Sequence, residues 1–328
     1  MTTATVVICA FTEQRWDDLC EAVGSVHGQT LPPDQVVVVI DHNPALLDRA
    51  RGAFVDSEVV GNEERQGLAG ARNTGIRHAK GEIVAFLDDD ARADASWLEH
   101  LVCPYASAHV HGTGGVARPN WSTGRPDWFP DEFLWVVGCS YRGLPETVAP
   151  IRNPIGAGMS FRRSVFDEVG GFDTEMGRVA WVPLGCEETV LGIRVVQHHG
   201  EGSIVQMPSA VVDHRVGPER ATVTYFVRRC FAEGISKAAV AARVGATDGS
   251  SVERRYVSRV LPGGVLVGLR RSVRGEIAGL ARAGLIVLGL GVTTVGYGVG
   301  RLGLRGVLTR LLVRDAHAGD TGHARGPG

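Results

Sequence analysis

Over the first 110 or so residues, short uninterrupted apolar runs alternate with longer amphipathic stretches. Residues 6–10 (VVICA), 36–40 (VVVVI) and 83–87 (IVAFL) contain no strongly polar position, the pattern of strands covered on both faces. Between them, Trp16, Leu19, Cys20, Val23 and Val26 recur at helical spacing, residues 48–54 read as a helix, and a short strand lies near Val59. Gly67 and Gly70 permit a tight backbone approach ahead of a helix that presents Arg72 and Arg77. Residues 97–105 form a further helix, and 111–116 enter another strand. Four strand-then-helix units in about 110 residues predict a parallel, doubly wound sheet with right-handed crossovers.

The pattern changes after residue 117. Trp121, Trp128, Phe133 and Trp135 lie among prolines, a composition that suits either the apolar faces of sugar rings or the covering of a sheet edge. Residues 152–163 read as a glycine-flanked strand leading into a short helix at 164–169. A helix over 187–197 turns Leu191, Val195 and Val196 inward, residues 205–208 close another strand, and Asp213-His214-Arg215 follows in a loop. From 220 to 244 a helix carries Tyr225, Phe226, Phe231 and Ile235 on one side, with Arg228, Arg229, Lys237 and Arg243 elsewhere. Residues 283–300 are uncharged, include six glycines and are framed by Arg282 and Arg301. As a helix they extend roughly 27 Å, short of the ~30 Å hydrocarbon core of a bilayer. One or two spans, a helix pair lying in the cytoplasmic leaflet, and a soluble helical appendage all fit, and basic residues on both sides leave orientation open. Residues 317–328 read as a disordered tail.

Composition narrows the function. A formal charge of −2 gives no sign of a nucleic-acid partner, and six scattered cysteines without a CxxC pair favour reduced thiols in the cytoplasm. The opening residues lack a charged leader and run straight into a strand, so no signal peptide is expected. Asp88-Asp89-Asp90 closes the third apolar run; alternation puts Asp88 and Asp90 on one face, where two carboxylates suit a hard cation, although a polar turn with a capping Asp gives the same letters. No glycine-rich dinucleotide turn and no phosphate-binding Gly-Lys loop follows the first strand, so a metal further along is the available counter-charge for phosphates. Glu187 and Glu188 open a helix, where capping accounts for one acid and a general base for the other. A lone His214 is by itself as readily structural as a ligand.

Taken in order, these pieces resemble a family 2 glycosyltransferase of GT-A type over about residues 5–215. Val7-Ile-Cys-Ala-Phe-Thr-Glu13 is similar to the family's opening strand and nucleotide loop, Asp41 to the acid ending the second strand, and Gly67-Leu-Ala-Gly-Ala-Arg-Asn73 to the loop ahead of the metal strand. Phe86-Leu-Asp-Asp-Asp90 resembles the DxD motif, Gly158-Met-Ser-Phe-Arg-Arg163 with Gly170-Gly-Phe-Asp173 the acceptor segment, and Glu187-Glu188 the acid pair. The pair reads Glu-Glu where Glu-Asp is usual, and Asp41-His-Asn43 replaces Asp-Asp-Gly-Ser, so the base and the nucleobase preference stay open.

The resemblance implies inverting transfer of a sugar from a nucleoside diphosphate to an acceptor hydroxyl, with Mg2+ or Mn2+. It assigns Asp90 and His214 to the metal, and Ala10, Thr12, Glu13, Asp41, Arg72, Asp88 and Asp89 to the nucleotide sugar. Trp121, Trp128, Gly158 and Met159 fall to the acceptor, and Glu188, with Glu187 in reserve, to proton removal. It divides the chain into a donor half (1–117), an acceptor and catalytic half (118–218), a membrane-associating region (219–316) and a tail. The acceptor is then a glycan or polyprenyl-linked sugar at the cytoplasmic face of the cell membrane. A transferase acting on a soluble natural product, and a non-catalytic nucleotide-sugar or glycan-binding module on the same fold, are the alternatives.

Overall fold

The computed structural model describes residues 2–176, 185–249 and 251–303. The tail expected at 317–328 lies outside the described residues. In the first half the apolar runs become parallel strands β1 (Ala4–Ala10), β2 (Gln35–Ile40), β3 (Glu58–Gly61) and β4 (Ile83–Asp88), joined by helices α1 (Trp16–His27), α2 (Pro44–Ala53) and α3 (Leu68–His78). Val6 and Ile8 of β1 pack with Leu19 and Val23 of α1 on one face, while Val7 meets Ala71 and Phe86 on the other. Coverage on both faces explains why these runs carry no polar position. Helix α2 starts at Pro44, four residues earlier than its apolar pattern indicates, because the Asn43 side chain caps it by accepting from the Leu46 N–H and Pro44 suits the first turn. Gly70 lies inside α3, not ahead of it; a Cβ there would stand 2.1 Å from the Arg65 carbonyl oxygen.

Beyond β4 the sheet departs from the doubly wound expectation. A short β5 (Ala91–Ala93) precedes α4 (Trp97–Val102), and β6 (Gly112–Trp121), β7 (Ala149–Pro150), β8 (Gly158–Arg162), α5 (Arg163–Val169), α6 (Glu187–His199) and β9 (Ile204–Val216) follow. The strand order is β3-β2-β1-β4-β8-β6-β9-β5, with β7 on β9. Strand β8 inserts antiparallel between β4 and β6, and β9 runs parallel to β6 but antiparallel to β5. The sheet is therefore mixed, parallel across β3-β2-β1-β4 and again between β6 and β9. His214, expected in a loop, belongs to β9, which continues past Pro208 and pairs Ala91 with His214.

The remaining helices form a third layer at one end of the sheet. They are α7 (Val223–Val244), α8 (Ala246–Gly249), α9 (Ser251–Arg255), α10 (Leu261–Val273) and α11 (Ile277–Arg301), with a wide turn of helix at Tyr256–Val260. Phe129, Phe133, Phe226 and Leu261 knit α7, α10 and α11 to the aromatic stretch. Helix α11 lies so close on α7 that a Cβ on Gly234 would meet the Thr293 carbonyl oxygen at 2.1 Å, and one on Gly296 the Phe231 carbonyl oxygen at 2.2 Å.

Candidate active site

Asp88 ends β4, and a tight turn brings Asp90 back toward β9, where His214 faces it. The His214 Nε2 stands 3.2 Å from Asp90 Oδ1, and one ligand atom each from Asp88, Asp90 and His214 falls within 4.8 Å of the others. Two carboxylates and an imidazole at that spacing form a donor set suited to Mn2+ and, with its oxygens, to Mg2+. Arg15 Nη1 reaches Asp89 Oδ1 at 2.9 Å and Asp90 Oδ2 at 3.0 Å, and Arg220 Nη2 lies 3.3 Å from Asp90 Oδ2. Burial alone would raise the Asp90 carboxyl, but His214, Arg15 and Arg220 outweigh it and hold the group well below the usual carboxylate range. Burial pushes neighbouring Asp89 up to about 7 against the pull of Arg15, and its Oδ2 is buried without a partner.

Arg72 ties this corner to the second set of acids. Fully enclosed, its guanidinium donates to Asp88 Oδ1 at 3.1 Å, to Glu187 Oε1 at 3.0 Å and to the Gly156 carbonyl at 3.3 Å. Arg72, expected from sequence at the nucleotide sugar, thus bridges the two carboxylate groups. Glu187 is buried at the start of α6, whereas Glu188 is half-buried and lines the cavity. Burial and the charge of Glu187 push the Glu188 carboxyl up to about 7, with Arg72 opposing. The residue just ahead, Cys186, holds a left-handed φ of 78°, a costly conformation that aims the first turn of α6.

Asp88 of the first set and Glu187 and Glu188 of the second open on one cavity of about 380 Å³. Asp88, Arg72, Glu187 and Glu188 line one part of it, and Trp135, Tyr141, Tyr256, Leu261, Leu290 and Tyr297 another. Also in the lining, Arg229, Glu233, Lys237 and Glu253 form a part-buried chain of alternating charge, with Arg229 Nη1 at 2.8 Å from Glu233 and Lys237 Nζ at 2.8 Å from Glu253. Arg152 continues it, 2.7 Å from Glu253. The acceptor residues named from sequence sit elsewhere. Trp121 and Trp128 pack in the aromatic core, Met159 is buried under the sheet, and Gly158 backs onto Val212 and Trp97. The cavity is lined instead by Trp135 and by residues 153–157, the segment just before β8.

On the donor side, Asp41 Oδ2 accepts from the Gly67 N–H at 2.9 Å and Oδ1 from Asn62 at 2.7 Å, which fixes the loop ahead of α3. Ala10 ends β1, Thr12 caps a short helical turn by accepting from the Gln14 N–H, and Glu13 begins that turn. Residue types and patterning missed Arg15 and Arg220, since a lone Arg carries no signal of its partner. The four-residue spacing of Arg229, Glu233 and Lys237 was a usable signal for one charged face of α7.

Residues 5–170 match the family described as Glycosyl transferase family 2. The chain is 36% identical over 236 residues to a glucosyl-dolichyl phosphate glucuronosyltransferase of Haloferax volcanii, covering 71% of this chain and 75% of that one. It is 30% identical over 202 residues to a probable N-acetylgalactosaminyltransferase 9 of Caenorhabditis elegans, of which it spans only 34%. Among solved structures, a mannosyltransferase from Pyrobaculum calidifontis in complex with GDP-Man and Mn2+ superposes with a TM-score of 0.58 at 19% identity, over 90% of this chain and 87% of that one. A crystal structure of GalNAc-T7 with UDP, GalNAc and Mn2+ gives 0.51 at 20% identity, over 72% and 48%. A GT-A sheet, an acid cluster at the end of its central strand and this extent of matching sequence agree with one another, and the chain belongs to glycosyl transferase family 2.

Proposed function

We propose that the protein is an inverting, metal-dependent glycosyltransferase that adds a sugar from a nucleoside diphosphate to a sugar hydroxyl on a polyprenyl-phosphate carrier, at the cytoplasmic face of the membrane. The observation that carries this reading is the make-up of one cavity. Its lining combines the carboxylates of Glu187 and Glu188, the charged groups of Arg229, Glu233, Lys237 and Glu253, and aromatic and apolar residues from Tyr256 to Leu261 and from α11. That combination suits an acceptor sugar, its phosphate and its lipid. The Haloferax volcanii relative is a glucosyl-dolichyl phosphate glucuronosyltransferase, which supports the same acceptor class.

Asp88, Asp90 and His214 would hold Mn2+ or Mg2+, which when bound neutralises the charge of the departing diphosphate. Arg15 and Arg220 keep Asp90 ionised for that task. Arg72 fixes Glu187 and leaves Glu188 as the base facing the cavity. In the transfer, the acceptor oxygen attacks the anomeric carbon as its bond to the diphosphate breaks, the diphosphate keeps the bonding electrons, and the hydroxyl proton passes to Glu188. One carboxylate suffices because no covalent glycosyl-enzyme is formed. A non-catalytic binder would gain nothing from a carboxyl raised to about 7 in the cavity it shares with Asp88.

Helix α11 is long and apolar enough to cross a membrane by length and composition. One of its faces is docked along α7, and the other shows Ile277, Leu280, Val287 and Val295 to solvent. With Arg270, Arg271, Arg274 and Arg282 nearby, the α10–α11 pair suits a helix hairpin resting in an anionic leaflet. The test is turnover on a panel of nucleotide sugars with Mn2+ and a short-chain prenyl-phosphoryl glucose. Product is expected with one donor, and loss of it in Asp90→Ala and Glu188→Gln. Equal or better turnover on a glycoside without phosphate or lipid would reject the acceptor assignment.

A further inference from the structure

Far from the active site, the last turn of α6 places His198 and His199 beside Glu168 of α5. His199 Nε2 lies 3.0 Å and His198 Nε2 3.7 Å from Glu168 Oε2, and the three ligand atoms fall within 4.8 Å of one another. A tetrahedral ion bound at about 2.0–2.1 Å separates its ligand atoms by about 3.3 Å, so the observed spacing needs only a small contraction. An ordinary histidine–carboxylate pair at the surface is the simpler account, and two details weigh against it. The buried Nε2 of His199 forms no hydrogen bond to Glu168 in spite of the short distance. Donor and carboxylate oxygen are close without being aligned toward each other, as atoms are when they aim at a third point.

The second detail is the support behind the ring. His111 stacks on His199 with centroids 3.5 Å apart and planes 11° apart, and fixes its orientation. The carbonyl end of α6 adds the negative pole of the helix dipole, which favours a cation there. His198 is exposed and free to rotate toward the same point.

We propose that Glu168, His198 and His199 form a second metal site, selective for a borderline ion such as Zn2+, that clamps the end of α6 to α5. Two imidazoles and one carboxylate prefer Zn2+, whereas the oxygen-richer set of Asp88, Asp90 and His214 suits Mn2+ or Mg2+. Counted at ~1.5 Å per residue along α6, His199 stands about 17 Å from Glu188, so the second site takes no part in bond making. It holds the helix whose other end carries the acid pair.

The experiment uses tag-free, metal-stripped full-length protein titrated with Zn2+ alone, read by calorimetry and by thermal melting. Zn2+ is expected to bind one per chain and raise Tm in both the native protein and Asp90→Ala. In His198→Ala, an exposed position that spares the fold, affinity is expected to fall about tenfold or more, with the Tm rise lost. Glu168→Gln is expected to do the same. Zn2+ binding that survives His198→Ala and Glu168→Gln, that vanishes in Asp90→Ala alone, or that is absent from the native protein overturns the proposal.

Discussion

At the scale of single residues, Arg72 does most to define the site. Its guanidinium spans Asp88 and Glu187; the Glu187 contact is shut away from water and the Asp88 contact is part-buried, so removing Arg72 strands the Glu187 carboxylate in a low dielectric. The consequence for chemistry appears at Glu188. With its carboxyl raised from the ordinary 4.5 to about 7, the group is protonated in acid and becomes a base only as pH rises through about 7. Single-turnover transfer should therefore fall on the acid side of neutrality by about tenfold per pH unit, and Glu188→Gln should lose that limb together with about 10² to 10⁴ of the rate. A limb near 7 that persists in Glu188→Gln would place the base elsewhere. The paired letters Glu187-Glu188 were conspicuous in the sequence, but their division of labour follows from Arg72, which approaches from α3, more than a hundred residues earlier in the chain.

Elements with uniform surroundings were legible and those with mixed surroundings were not. Strands β1, β2 and β4 are covered on both faces, so their apolar runs mark them out. Strand β9 alternates buried and partly exposed positions but loses the alternation at Pro208 and Ser209, and its partner β6 shifts register between Gly114 and Val116. A two-residue period read across such an irregularity loses phase, which is why His214 reads as a loop residue. Helix α11 shows the opposite failing: its glycines weaken it as a membrane span, yet Gly234, Gly296 and Gly300 are what permit backbone contact with α7. Gly296→Val should push α11 off α7, lowering stability by about 1–3 kcal/mol in chemical denaturation. Since Leu290, Thr293 and Tyr297 line the cavity, KM for the acceptor should rise more than KM for the donor. Unchanged stability in that variant would contradict the close packing.

On the scale of the whole molecule, helices beyond residue 218 complete the cavity that the sheet begins. The same helices carry the exposed apolar stripe of Ile277, Leu280, Val287, Leu288 and Val295, continued by Leu266, Val267 and Val273 on α10. If this face rests in lipid, the protein should float with vesicles containing anionic lipid and bind neutral ones less well. Raised salt should weaken binding by screening the arginines, and a Val287→Glu/Val295→Glu pair should reduce it by about tenfold or more. Flotation unaffected by the pair would move the membrane contact to another surface.

By itself the sequence determined the strand-and-helix run of the donor half, the acids at the end of β4, the acid pair opening α6 and the family they resemble, because each is written in neighbouring letters with a local physical meaning. Tertiary structure alone decided the antiparallel insertion of β8, the meeting of Asp90 with His214, the bridge made by Arg72, and the use of Trp135 in the cavity wall in place of Trp121 and Trp128. Those depend on which distant segments share a small volume, and burial and charge pairing settle that only when the chain is closed.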